Sequence, residues 1–137
     1  MKNLSQALLW LIVICALFWG SSEILFYYVY TYGFSTNAML YTLVTLLLIA
    51  LYIGIIWLGF RSKLWYISLF SILLCPLVYV VMLFSFGSMT RIVEDDYLVG
   101  FIAIAIFIFN EVCLIIGTLI GNSLLMYNKA RNAKPNE

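Results

Sequence analysis

The chain has 137 residues, of which 66% are hydrophobic and 9% are charged, and its formal net charge is +1. A soluble domain normally carries about a quarter charged residues, so this composition argues against a water-soluble fold. The near-neutral balance also lacks the basic surface that recruits nucleic acid, so nucleic acid is not an expected partner. We therefore expect the lipid bilayer to surround most of the chain.

Charged residues are almost absent from four long apolar stretches. Each stretch can supply the roughly 20 apolar residues that one membrane-spanning helix requires. The sequence therefore predicts an all-α integral membrane bundle of four transmembrane helices, forming a single domain over residues 1–137. The predicted spans are about 5–30, 38–60, 64–89 and 97–127, followed by a short polar tail at 128–137.

The basic residues favour one side of this predicted arrangement. Six of them fall on the side of the termini: Lys2, Arg61, Lys63, Lys129, Arg131 and Lys134. Only Arg91 falls on the other side. Because short loops rich in Lys and Arg remain cytoplasmic, we expect both termini to be cytoplasmic. The predicted location is a multi-pass position in the plasma or inner membrane.

The sequence offers little material for catalysis or metal binding. Its three cysteines, Cys15, Cys75 and Cys113, lie in three different apolar segments, and there is no histidine. No CxxC pair is present, which disfavours zinc and haem. The serines lie without an evident base, whereas nucleophilic catalysis needs one within reach. We expect no metal, no cofactor and no catalytic residue, and hence a protein that is not an enzyme.

The fourth predicted span separates small and polar residues from bulky apolar ones at 100° per residue. The small and polar half contains Asn110, Glu111, Cys113, Gly117, Thr118, Gly121 and Asn122. Helices in lipid associate through close backbone approach and interhelical hydrogen bonds, so this half is predicted to face protein. Within it, Gly117 and Gly121 form a small-xxx-small motif, which predicts helix packing within the chain or in a dimer.

Two carboxylates, Glu23 and Glu111, lie inside the predicted spans. An ionised carboxylate at bilayer depth costs at least about 2.5–3.5 kcal/mol, so we expect at least one of them to be protonated at neutral pH. Ala16, Gly20 and Tyr27 share the helical face of Glu23, and a neighbouring helix is expected to pack closely at Ala16 and Gly20. The candidate proton- or cation-binding residues are Glu23, Glu111, Asn110 and Tyr27.

The segment around Glu23 resembles part of a transporter family. A glutamate in the first of four spans is similar to the membrane-embedded glutamate of the small multidrug resistance transporters. Phe18-Trp-Gly-Ser-Ser22 resembles the Trp-Gly-Ser signature of the wider drug/metabolite transporter group. Since the small transporters exchange protons for cationic compounds, the resemblance implies such a role for Glu23. It covers about one span, and Glu111 has no counterpart in it.

Two functions therefore remain open. The first is an accessory or interaction protein that acts on another membrane component. The second is a small proton- or cation-coupled transporter that uses Glu23 and Glu111, expected as a homodimer because four helices barely enclose a pathway. In the first case the glutamates are neutral hydrogen-bonding groups that hold the bundle together or contact a partner in a larger membrane complex. The sequence identifies neither the substrate nor the partner.

Overall fold

Four α-helices make up the structure, a computed structural model that describes residues 2–33, 38–60, 65–86 and 97–132. In chain order they are α1 (Lys2–Tyr32), α2 (Ala38–Gly59), α3 (Trp65–Phe86) and α4 (Tyr97–Asn132). Each predicted span corresponds to one helix, which confirms the all-α prediction with four helices.

Helix α4 extends beyond the predicted fourth span, which ends at about residue 127, and continues to Asn132. The added turn contains Lys129, Ala130 and Arg131, which are good helix formers, and the two basic side chains suit the negative end of the helix dipole. Both basic residues are exposed. The rest of the predicted tail and the predicted loop at 90–96 lie outside the described residues, as do Arg61 and Lys63.

The helices have lengths that suit a bilayer. Three of them are long and apolar enough to cross a membrane, over Leu4–Tyr32, Met39–Gly59 and Gly100–Asn132. The apolar stretch counted in α3 is shorter, Tyr66–Met82, within a helix of 22 residues. At about 1.5 Å per residue such a helix is roughly 33 Å long, which matches the roughly 30 Å hydrocarbon core.

The side-chain contacts between α1 and α3 show that these helices run parallel. Cys15 of α1 meets Cys75 of α3, with 3.3 Å between their Sγ atoms. One turn later, Phe18 makes an edge-to-face contact with Tyr79, with ring centroids 6.0 Å apart. Because the contacting residues advance together along both helices, α1 and α3 have the same direction.

The contacts between α2 and α4 show the same relationship. A Cβ atom built on Gly117 would lie 2.6 Å from the Cβ of Tyr52, and one built on Gly121 would lie 2.9 Å from the Cγ2 of Ile56. Both helices advance by four residues between these two contacts, so α2 and α4 are also parallel. Trp10, near the start of α1, packs on Gly59 at the end of α2. The bundle therefore has an up-down-up-down order, with the start of α1 and the end of α4 at the same end.

The centre of the bundle is formed by α1 and α4, each of which contacts the other three helices. Among the described residues α2 and α3 make few mutual contacts and flank this pair on opposite sides. Aromatic rings fill the space between α1, α3 and α4. Phe107 lies 6.0 Å from Phe18 and 5.5 Å from Tyr79 between ring centroids.

Candidate functional site

Asn110 of α4 is the most highly connected polar side chain in the described part of the bundle, and it is fully buried. Its Oδ1 accepts a hydrogen bond of 2.9 Å from the Tyr52 hydroxyl of α2. Its Nδ2 lies 2.9 Å from the carbonyl oxygen of Phe18 and 2.8 Å from the Oγ atoms of both Ser21 and Ser22 in α1. We call these five residues the Asn110 network. It joins α1, α2 and α4 at one level.

The direction of the Asn110 amide follows from its partners. The Phe18 carbonyl can only accept a hydrogen bond, so the NH₂ group must face α1. That leaves Oδ1 for the hydroxyl of Tyr52, which can donate. The NH₂ group has two protons and three acceptors within reach, so the serine hydroxyls and the Phe18 carbonyl share them. The network thus satisfies the amide completely without an ionised group.

Glu111 follows Asn110 in the chain but points about 100° away from it around α4. Its side chain is half-buried, and Oε2 is buried with no hydrogen-bond partner among the described residues. It interacts electrostatically with Tyr52 and with Cys75 of α3. Glu111 therefore lies beside the Asn110 network without belonging to it.

Glu23 is also half-buried and interacts electrostatically with Tyr79 of α3. It follows Ser22 in the chain, whose Oγ lies 2.8 Å from the Nδ2 of Asn110. Ser22 and Asn110 are hydrogen-bonded to each other, and Glu23 and Glu111 are the residues that follow them in the chain. The two carboxylates therefore lie at similar levels in the bundle. That they line a common cavity stays a prediction.

Ala16 and Gly20, where close helix packing is predicted, lie on the outer side of α1. The side chain of Ala16 is exposed, and a Cβ atom built on Gly20 would meet nothing within 4 Å. Tyr27 is 56% exposed. The cause is that α1 turns Phe18 and Ser22 inward, which places Ala16, Gly20 and Tyr27 on its outer half. Close packing of another helix against Ala16 and Gly20 stays a prediction.

Gly117 and Gly121 lie where α4 meets α2. Besides its close approach to Tyr52, a Cβ on Gly117 would lie 3.3 Å from the carbonyl oxygen of Ile49. A Cβ on Gly121 would lie 3.6 Å from the Cα of Ile53. The two glycines thus bring the backbones of α2 and α4 close together within one chain.

A second polar contact joins α4 to α3. Ser68 Oγ donates a hydrogen bond of 2.9 Å to Asn122 Oδ1, and both side chains are buried. Ser71 Oγ donates to the carbonyl oxygen of Ser68 at 2.6 Å. Two buried atoms nearby, Thr118 Oγ1 and Asn122 Nδ2, have no hydrogen-bond partner among the described residues.

The cysteines and the described cavity complete the inventory of candidate sites. Cys15, Cys75 and Cys113 are buried free thiols. The described residues contain no group of three or more His, Cys, Asp or Glu side chains that could hold a metal ion. A cavity of about 120 Å³ lies between α1, α2 and α4, and it is lined by Leu25, Val29, Tyr41, Ala105, Ile106 and Phe109. None of the candidate binding residues lines it.

No protein-family model, curated protein or solved structure matches the chain. The polar half of the fourth predicted span indicates Asn110 as a candidate, but residue spacing does not pair it with Tyr52 or with the Phe18 carbonyl. A tyrosine in the middle of an apolar span is a usable signal, because its hydroxyl requires a partner there.

Proposed function

We propose that the chain is an integral membrane protein with four spans and with both termini in the cytoplasm. The long apolar helices and the up-down-up-down order support this proposal. The exposed Lys129 and Arg131 near the end of α4 agree with a cytoplasmic position for that end.

Cysteine labelling in intact cells or sealed vesicles tests this orientation. Tyr32→Cys and Asn132→Cys place an exposed thiol at opposite ends of the bundle, while the native cysteines are buried. A membrane-impermeant maleimide added from outside should modify Tyr32→Cys and spare Asn132→Cys until the membrane is permeabilised. The opposite pattern would reverse the orientation, and equal labelling of both would contradict a spanning bundle.

Within the membrane, we propose that the protein is an accessory or interaction subunit that acts on another membrane component. The observation that carries this proposal is the Asn110 network. Its polar groups are saturated by one another and fasten three helices together, so they are not left to bind a solute. The aromatic cluster of Phe18, Tyr79 and Phe107 fills the adjacent interior. Such a filled bundle suits a rigid body that works through its outer faces.

The outer face of α1 is the surface that we propose for the partner. Ala16 and Gly20 leave a shallow strip there, and small residues permit close helix approach in lipid. Glu23 and Tyr27 lie on the same side of α1 as this strip. A partner helix that carries a hydrogen-bond donor at this level would contact the half-buried Glu23 and the exposed Tyr27.

Affinity purification in mild detergent tests this proposal, with two glycine variants as a matched pair. Neither Gly20 nor Gly54 has an atom within 4 Å of a built Cβ, so Gly20→Leu and Gly54→Leu should both fold. We expect the wild type and Gly54→Leu to retain a membrane-protein partner that Gly20→Leu loses. A single monodisperse species with transport activity in the wild type would contradict an accessory role.

A second candidate function is proton- or cation-coupled transport through Glu23 and Glu111. The specific observation in its favour is the buried Oε2 of Glu111, which lacks a partner among the described residues. Intramembrane carboxylates commonly mark ion and proton paths. The similar level of the two glutamates in the bundle also suits a shared site.

Uptake into reconstituted vesicles tests this candidate. Glu23→Gln and Glu111→Gln remove the exchangeable proton and keep the side-chain shape, so each should abolish proton-coupled uptake while the protein still folds. Ser123→Ala serves as the control, because Ser123 is exposed and its hydroxyl donates to the Leu119 carbonyl of its own helix. Unchanged uptake in both glutamine variants would exclude this mechanism.

A further inference from the structure

A line of polar side chains lies between α3 and α4, separate from the Asn110 network. It consists of Ser68 and Ser71 of α3 and Thr118 and Asn122 of α4, and we call it the polar seam. All four side chains are buried; Ser68, Ser71 and Thr118 are 0% exposed, and Asn122 is 6% exposed. The seam lies on the side of the bundle where α3 covers α4.

Glu111 lies on the same stripe of α4 as the seam. Thr118 follows it by seven residues, which is a rotation of about 700°, or 20° short of two full turns. Asn122 follows Thr118 by four residues, a further rotation of about 40° beyond one turn. The three side chains are thus nearly aligned along the helix, at intervals of about 10 Å and 6 Å. The stripe leads from the end of the bundle that carries Lys129 to Glu111.

Three buried polar atoms, two in the seam and one on Glu111, take no part in the hydrogen bonds found among the described residues. Ser68 and Ser71 both donate, to Asn122 Oδ1 and to the Ser68 carbonyl respectively. Thr118 Oγ1, Asn122 Nδ2 and Glu111 Oε2 have no partner among the described residues. A buried polar group that stays unpaired destabilises the fold, so native proteins pair such groups with protein groups or with ordered water.

The chemistry of these three atoms selects the ligand. Asn122 Nδ2 can only donate, so it would repel a cation. Glu111 carries a carboxyl group, which would repel an anion in its ionised form. Thr118 both donates and accepts. Because the three residues lie at intervals of about 10 Å and 6 Å along α4, each atom needs its own small ligand. A molecule that suits all three positions is uncharged and able to donate and accept, and water has these properties.

We infer that the polar seam binds a row of ordered water molecules that connects Glu111 with the end of the bundle where α4 terminates. Along this row a proton taken from bulk water passes between successive water molecules and is accepted by the Glu111 carboxylate, with no redox change. Among the described residues, the ionisable groups in the bundle interior around this row include Glu23 and Cys15 on α1, Tyr52 on α2, Cys75 and Tyr79 on α3, and Cys113 on α4. The proton path specifies a step of the second candidate function, coupled transport, and rests on that function. The binding of water in the seam is independent of it.

Radiolytic hydroxyl-radical footprinting tests the water, because X-rays convert bound water into radicals that oxidise adjacent side chains. The experiment uses Cys15→Ser as its parent protein, because Cys15 Sγ lies 3.3 Å from Cys75 Sγ and would take part in its oxidation. In that parent Cys75 and Cys113 form a matched pair, since both residues are 1% exposed. Cys75 follows Ser68 and Ser71 along the inner face of α3, whereas Cys113 lies on the other side of α4 from Thr118. We expect several-fold faster oxidation of Cys75 in this parent. Thr118→Val should remove this excess, and Ser123→Ala should keep it. Equal rates for the two cysteines in the Cys15→Ser parent would overturn the proposal.

Infrared spectroscopy in D₂O tests the proton path separately. The carboxyl band of Glu111, identified by its loss in Glu111→Gln, should exchange several-fold more slowly in Thr118→Val than in the wild type or Ser123→Ala. An unchanged exchange rate, or no such band in the wild type at low pH, would overturn the path. If Cys75 is oxidised faster than Cys113 while reconstituted vesicles show no proton-coupled uptake, the transport function is wrong and the binding of water in the seam is supported.

Discussion

The hydroxyl group of Tyr52 donates a hydrogen bond of 2.9 Å to the side-chain oxygen of Asn110, 58 residues further along the chain. Both side chains are fully buried. Since Asn110 also bonds to α1, this bond connects α2 to the residues of the Asn110 network on α1. In lipid a polar group without a partner costs free energy, whereas apolar surface gains little from burial. The pair therefore contributes to the specificity of the helix arrangement.

Replacing Asn110 by leucine should destabilise the bundle. The change removes the Asn110 oxygen that accepts from the buried Tyr52 hydroxyl and the NH₂ group shared by Ser21 and Ser22, at a cost of about 1–3 kcal/mol. Tyr52→Phe should cost about 1 kcal/mol, and the two losses should be less than additive in the double variant. Reversible unfolding in mixed micelles of SDS and a mild detergent gives these free energies. Full additivity would show that the bond does not couple the two residues.

Gly117 and Gly121 of α4 should tolerate alanine far less well than glycines on the outer surfaces. Gly117→Ala places a Cβ 2.6 Å from the Cβ of Tyr52 and close to the backbone of α2, so α2 must move away. Gly121→Ala meets only the Ile56 side chain at short range and should be milder. At Gly20 and Gly54, alanine meets nothing within 4 Å and should stabilise its helix by up to about 1 kcal/mol. The same unfolding assay orders the four variants, and equal effects at all four positions would contradict the close contact between α2 and α4.

The thiols of Cys15 and Cys75 should form a disulfide bond under mild oxidation with a membrane-permeant diazene such as diamide. Their Sγ atoms are 3.3 Å apart, so little movement is needed, and the oxidant accepts the two hydrogen atoms that the thiols lose. Counting maleimide adducts after unfolding in SDS should then show one reactive cysteine instead of three. Cys113→Ser should still form the cross-link, and Cys75→Ser should not. A cross-link that persists in Cys75→Ser would place another cysteine beside Cys15.

Truncation of Phe18 should weaken the packing of α1 against α3 and α4. The ring is 0% exposed and contacts both Tyr79 and Phe107. Phe18→Ala opens a void of roughly 100 Å³, which at about 24 cal/mol per Å³ costs roughly 2 kcal/mol. Leu9→Ala is the control, because Leu9 is 58% exposed on the same helix. A loss of similar size in both variants would contradict the inward position of Phe18.

The inner face of α4 could be predicted from sequence because its polar and small residues recur at helical spacing. Asn110, Thr118 and Asn122 are buried as that spacing indicates, while Ile108 and Leu119 are exposed. In a bilayer, apolar residues give no such information, since they suit lipid and protein interiors equally.

The face of α1 could not be predicted in the same way. Ala16 and Gly20 are small, but size alone does not show whether a helix of the same chain covers them. The pairings of Tyr52 and Phe18 with Asn110 were also beyond the sequence. They depend on which helices are neighbours and on their relative shift, and residue spacing within one helix determines neither.

The position of Asn110 in the last helix has a consequence for biosynthesis. Ribosomes deliver α1 and α2 to the membrane before α4 exists, so Tyr52 and Ser22 enter it while their amide partner is still unmade. Until α4 is translated and inserted, Tyr52 and Ser22 lack this partner. Any truncation upstream of Asn110 would leave them permanently without it.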